Sequence, residues 1–133
     1  MKREIKFKAK RLDGKGWVEG SLIRSTTGIK ERAYIVDNFS SMSDYGVIGV
    51  DSSTICQFTG LKDCDGKEVW EGDTLEGNRK AEIFFAQGAF LIRSIDDNGK
   101  ETLHSLFNYI EWNGKLMCRV VGNKFDKEIA YEA

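Results

Sequence analysis

Apolar runs in this chain are short, and glycine or an Asn-Gly pair interrupts them every few residues, a pattern that favours β-strands joined by tight turns. Proline is absent from all 133 residues, so glycine, asparagine and aspartate must make those turns. Asp73–Leu75, Ala81–Phe85, Ala89–Ile95 and Leu116–Val121 are four such runs, punctuated by Asn98-Gly99 and Asn113-Gly114. Strands this short and closely spaced predict a small, strongly bent SH3-like β-barrel over residues 73–133. Leu103, Leu106, Phe107 and Ile110 recur at i, i+3, i+4 and i+7, which predicts one short helical turn plugging an end of it.

The first residues alternate. Ile5, Phe7 and Ala9 face one way and Glu4, Lys6, Lys8 and Lys10 the other, as in a half-buried strand. Asp13-Gly14-Lys15-Gly16 can turn the chain back into Trp17–Ile23, completing a hairpin. Residues 24–52 are less regular, with short strands expected at Ala33–Val36 and Val47–Val50 around an exposed serine-rich loop. The fold class is therefore mainly β. The expected division is an N-terminal hairpin-based lobe over residues 1–55, a connecting ribbon over 56–72 and the barrel from 73. A chain of this length can build a true core, burying about two-thirds of the surface of the unfolded state.

Charge is nearly balanced, 20 basic against 21 acidic side chains, but it is unevenly spread. Residues 1–16 hold seven basic side chains against two acidic ones, and the rest of the chain carries an acidic excess of six. Such segregation suits head-to-tail association or a small basic face for a polyanion. Cys56, Cys64 and Cys118 are odd in number and show no CxxC spacing, so reduced thiols in a cytoplasmic setting are expected. The alternating N-terminus does not read as a signal peptide, and no apolar stretch approaches the ~20 residues of a membrane-crossing helix. The glycosylation sequon at Asn38 reads as a chance match.

Gln57–Asp73, QFTGLKDCDGKEVWEGD, concentrates glycines and carboxylates and has to be tested as a ligand loop. Placing Gly66 at the sixth position of a calcium loop aligns Asp63 and Asp65 but leaves Leu61 and Gly72 where the first and last ligands belong. The stretch beginning at Ser94 likewise lacks a closing carboxylate. The glycine spacing matches neither phosphate-binding signature, and one His104 with three scattered cysteines gives no zinc pattern. His104, beside Leu103 and Phe107, reads as a structural histidine near a core. No metal or cofactor is therefore expected, and the glycines read as backbone devices: a hairpin turn at Asp63–Lys67 and a sharp reversal at Glu71-Gly72-Asp73.

The same residues carry a resemblance. Cys56–Asp63, then Asp65-Gly66-Lys67-Glu68 and Glu71-Gly72-Asp73, resemble the signature of the YopX family of bacteriophage and prophage proteins. Arg3–Ala9 is similar to that family's opening strand and Val120–Asp126 to its closing segment, in the same order; Cys64 stands where a polar turn residue is usual. The resemblance implies one mostly β family domain, encoded by phages or integrated elements and working in bacterial cytoplasm. It brings no catalytic residues.

Three functions compete. The first is a non-enzymatic binding or assembly module, with a protein partner or further copies of itself, favoured by exposed strand edges and opposed charge. The second is nucleic-acid binding by Lys6, Lys8 and Lys10, spaced about 7 Å apart on one strand face, with Trp17 or Tyr34 offering a ring for stacking. The third is an enzyme built on Asp63, Asp65, Glu68, Glu71 and Asp73, which would need a cleft to drive two carboxylates apart in pKa. The aromatics Trp17, Trp70, Trp112, Phe84, Phe85, Phe90, Phe107 and Tyr109 are expected in the core or between lobes.

Overall fold

A computed structural model describes residues 4–26, 31–37, 46–76 and 80–126. The chain divides into two units, Met1–Phe58 and Thr59–Ala133. Both are built from antiparallel strands.

In the first unit β1 (Phe7–Lys10), β2 (Trp17–Ser25), β3 (Arg32–Val36) and β4 (Val47–Val50) follow one another, and β5 (Cys56–Lys62) begins after a 3-10 turn at Ser52–Thr54. Their order across the sheet is β4-β3-β2-β1-β5. The expected hairpin is β1 and β2, in the register Phe7↔Gly20 to Lys10↔Trp17. Both short strands expected beyond it are present as β3 and β4. The serine-rich stretch between them, residues 38–44, lies outside the described residues.

β2 changes partner midway: Trp17 to Gly20 pair with β1, and Ser21 to Ser25 with β3. Gly20 is the corner at which this happens, at φ 156°, and a Cβ added there would collide with the carbonyl oxygen of Val36. The sheet curls so far that the end of β4 returns to the end of β1. Arg11 bridges Val50, the Leu12 N–H donates to the Gly49 carbonyl (3.1 Å), and the Asp51 N–H donates to the Lys10 carbonyl (2.9 Å). Inside lie Ala9, Val18, Ala33, Ile35 and Val50, flanked by Phe7, Leu22, Ile48 and Ile55. Phe7 and Ala9 thus take the inward positions read from the alternation, while Ile5, ahead of β1, is exposed.

In the second unit β5 continues beside β6 (Glu68–Trp70), and a five-stranded sheet follows: β7 (Asp73–Leu75), β8 (Lys80–Ala86), β9 (Ala89–Ile95), β10 (Glu101–Ser105) and β11 (Val120–Asn123). Its order is β10-β9-β8-β7-β11. Val69, Leu75, Ile83, Ile92, Leu106, Leu116 and Val120 form its core. The expected barrel is not closed, because β10 and β11 end the sheet on opposite edges and no described pairing joins them.

The expected helical turn is also revised. Glu101–Ser105 is a strand paired along its whole length with β9, and only Leu106–Tyr109 forms a 3-10 turn. The ladder to β9 takes the main-chain groups a helix would need. The apolar periodicity also fails as a face, since Leu106 is buried while Leu103 and Phe107 are exposed.

One turn recurs three times, at Asp63–Lys67, Asp96–Lys100 and Glu111–Lys115. In each, the first N–H donates to the fifth carbonyl, the fourth N–H donates to the first carbonyl, and a glycine stands fourth with φ between 81° and 85°. A type I turn closed by a left-handed residue has this geometry, which favours glycine at that place.

Replacing Gly20 with alanine should cost at least about 2 kcal/mol, because the clash is with main chain that the β2–β3 ladder holds in place. A lower midpoint in urea denaturation with an unchanged slope is the expected reading.

Candidate functional site

The glycine- and acid-rich stretch resolves into two hydrogen-bonded knots within the second unit. Asp63 opens the first of the recurring turns, and its side chain is fully buried. Its Oδ1 accepts the N–H groups of Asp65 (2.9 Å) and Lys67 (2.8 Å), and its Oδ2 accepts the N–H of Val120 (2.9 Å) at the start of β11. Burial, the largest single influence, disfavours the charged form. The bonds from Val120, Lys67 and Asp65, with the nearby Lys67 ammonium, together outweigh it and hold the Asp63 carboxyl below its ordinary range. Beside it the exposed Asp65 pairs with Arg119 (2.6 Å), which also reaches Glu76 (3.5 Å).

The second knot joins Glu71-Gly72-Asp73 to the end of β11. Asp73, also buried, accepts the Trp70 N–H (2.7 Å) on one oxygen and the Asn123 side-chain amide (2.9 Å) on the other. The same amide reaches the Glu71 carbonyl (3.2 Å), while the Asn123 Oδ1 accepts the Phe125 N–H (3.0 Å). Asp126 in turn accepts the Asn123 N–H (2.9 Å). Gly72, at φ 89°, lies so close to Asn123 that an added Cβ would meet its amide nitrogen at 3.1 Å. Of the five carboxylates named for an enzyme, Asp63 is therefore engaged by main-chain donors, and Asp73 by one main-chain donor and the Asn123 amide. Among the described residues no three His, Cys, Asp or Glu side chains are grouped to hold a metal ion.

The lysines of β1 do share a face, in the first unit. Lys6 lies 4.7 Å from the centre of the Phe58 ring and pairs with Glu4 (3.5 Å) and Glu19 (3.7 Å). Lys8 and Lys10 both reach the ring of Trp17, their ammoniums 4.6 Å and 5.0 Å from its centre. The register explains this: Trp17 is directly opposite Lys10 on β2, and Lys8 stands on the same side two residues earlier. Tyr34, on β3, is half-buried.

The aromatic expectations divide. Trp70 is buried, and Phe90 and Tyr109 pack partly buried on the core of the second unit. Phe107 is 77 % exposed and Trp112 96 % exposed, with Met117 half exposed nearby in sequence. His104 is exposed on β10 and meets Tyr109 edge-on at 6.0 Å, away from any buried position. Trp112 occupies the tip of the third recurring turn. The Ile110–Leu116 bridge, the Met117 N–H to the Tyr109 carbonyl (2.9 Å), and the Glu111 N–H to the Lys115 carbonyl (2.8 Å) hold that hairpin. A signal for its place was present in the sequence, since Trp112 immediately precedes the Asn113-Gly114 turn at a hairpin tip.

The sequence matches the family model for the YopX protein over residues 6–128. The chain belongs to the YopX family. Kinship of this extent spans both units, and the stretches that carry the resemblance include part of β1, β5, the two knots and β11. No individually curated protein matches the chain.

Because its folded-state pKa is depressed, the contribution of Asp63 to stability is complete above the ordinary aspartate value of about 3.9 and fades as pH falls through the lower folded value. Asp63→Asn should cost about 2 kcal/mol at neutral pH. The gap from the native chain should stay constant down to about pH 5 and narrow below about pH 4. Urea denaturation of both proteins across that range checks the sign.

Proposed function

We propose that this YopX-family chain is a non-enzymatic assembly module whose partner is a second copy of itself, and that it acts as a phage- or prophage-encoded accessory protein in the bacterial cytoplasm. The observation that carries the reading is Trp112, held almost wholly in water at the tip of an ordered hairpin. Hydration of so large an apolar ring is unfavourable, and tryptophans in this position dominate the contacts in which they become buried. Phe107 and Met117 add exposed apolar surface within the same stretch, residues 107–117. The basic opening strand and the acidic remainder of the chain give two copies complementary ends.

Trp112→Ala should leave the thermal midpoint nearly unchanged, because the side chain touches little of its own fold, yet weaken self-association at least tenfold. Sedimentation velocity across the micromolar range reads both states. A native chain that is monomeric throughout would sink the proposal.

A second reading has its own observation in the two ammoniums gathered on Trp17. That cluster can place two phosphates beside a stacking ring, as in single-strand binders. Titrating a single-stranded oligonucleotide should give an affinity falling with salt at a log–log slope of about −0.7 per phosphate neutralised, abolished by charge reversal at Lys8 and Lys10. Binding without salt dependence, or none at low salt, removes this reading.

A further inference from the structure

Two cysteines distant in sequence meet in the second unit. The Cys64 N–H lies 3.4 Å from the Cys118 carbonyl oxygen. Ties on either side fix that register: the Leu116 N–H donates to the Lys62 carbonyl (2.9 Å), and the Val120 N–H donates to the Asp63 carboxylate (2.9 Å). One main-chain bond of this length keeps the two Cα atoms within about 7 Å of each other, a range that includes the separations a disulfide spans. We propose that Cys64 and Cys118 form a thiol–disulfide exchange site, which small disulfides of the glutathione type convert into an intramolecular disulfide.

Accessibility assigns the roles. Cys64 is exposed on its turn, Cys118 is half-buried, and the third thiol, Cys56, is fully buried with its sulfur directed at the Thr54 carbonyl (3.4 Å). Burial, and after it the charge of Cys64, raises the Cys118 thiol above its ordinary range. Cys64 therefore meets the small disulfide first. Its thiolate attacks one sulfur and expels one small thiolate, leaving a mixed disulfide. The Cys118 thiolate then attacks the Cys64 sulfur and expels the second. Two electrons pass from the protein to the small disulfide, and the two cysteine protons end on the two small thiols released. The product staples the 63–67 turn to the segment before β11, the same two pieces that Asp63 already joins.

The test is incubation of the full chain with glutathione disulfide, followed by intact mass and non-reducing peptide mapping. The native chain should lose two hydrogens, yield a Cys64–Cys118 linked peptide with Cys56 unmodified, and gain roughly 5–10 °C in thermal midpoint. Cys118→Ser should stop at glutathione on Cys64. A native chain that itself stops at the mixed disulfide, links through Cys56, or forms only disulfides between molecules would overturn the proposal. Should the variant fail to fold, the native peptide map decides alone.

Discussion

A carboxylate removed from water stays charged only where the protein replaces its lost hydrogen bonds, and Asp63 is supplied by three main-chain N–H groups. Two belong to its own turn and one to β11, so a single side chain fixes both a local reversal and a pairing across much of the second unit. Few alternatives exist for that Val120 N–H. It stands where the strand begins, on the strand at the edge of the sheet and beside a register shift between Val120 and Gly122. Removing the carboxylate would leave buried donors unmatched, a cost that usually exceeds the worth of the bond itself.

The recurring turn shows what sets Asp63 apart. Asp96 opens an equivalent five-residue turn and caps Asn98 and Lys100 with the same oxygen, at 2.9 Å and 2.8 Å. That turn is exposed, and both of these bonds stay within it. Asp63 differs in being buried and in where its second oxygen points. Sequence patterns that resemble cation loops, an aspartate, a second acidic or amide residue and then glycine, arise here from a turn whose first carboxylate caps main-chain N–H groups and whose glycine takes the left-handed conformation. The knot of Gly72, Asp73 and Asn123 follows the same logic, with a side-chain amide in place of a main-chain donor.

Local signals were therefore the legible ones. Period-two alternation located β1, the Asp13–Gly16 turn placed β2 after it, short apolar runs marked β3 and β4, and the glycines located the turns, because all of these depend on neighbours within a few residues. The closure of the second sheet was not legible, since it depends on whether β10 and β11, at opposite edges, find each other. Leu103 to Ile110 misled because a strand and a 3-10 turn placed end to end imitate a helical repeat. The aromatics misled for a different reason: hydrophobicity predicts burial on average, yet Trp112 stands at a tip from which the core of its own unit is out of reach. Nothing in the spacing of Cys64 and Cys118 announces their meeting, which the bond from Val120 to Asp63 imposes.

The two units also carry their stability differently, and this bears on which surface is free to bind. The buried core of the first unit holds two alanines, two valines and one isoleucine, Ala9, Ala33, Val18, Val50 and Ile35, whereas the second buries Leu75, Ile83, Ile92, Leu106 and Leu116 together. A thin core leaves more of the first unit's cohesion to its outer face, where Lys6 covers Phe58 and Lys8 and Lys10 cover Trp17. Cation–π contacts at exposed sites are worth only about 0.5–1 kcal/mol each, so a phosphate can draw these ammoniums away, but the fold then gives up part of what holds the hairpin. Trp112 carries no such conflict. Its hairpin is closed by main-chain bonds that do not involve the ring, and burying the ring against a partner takes nothing from the fold that presents it. That asymmetry is why the proposed contact is placed on the hairpin tip and not on the basic strand.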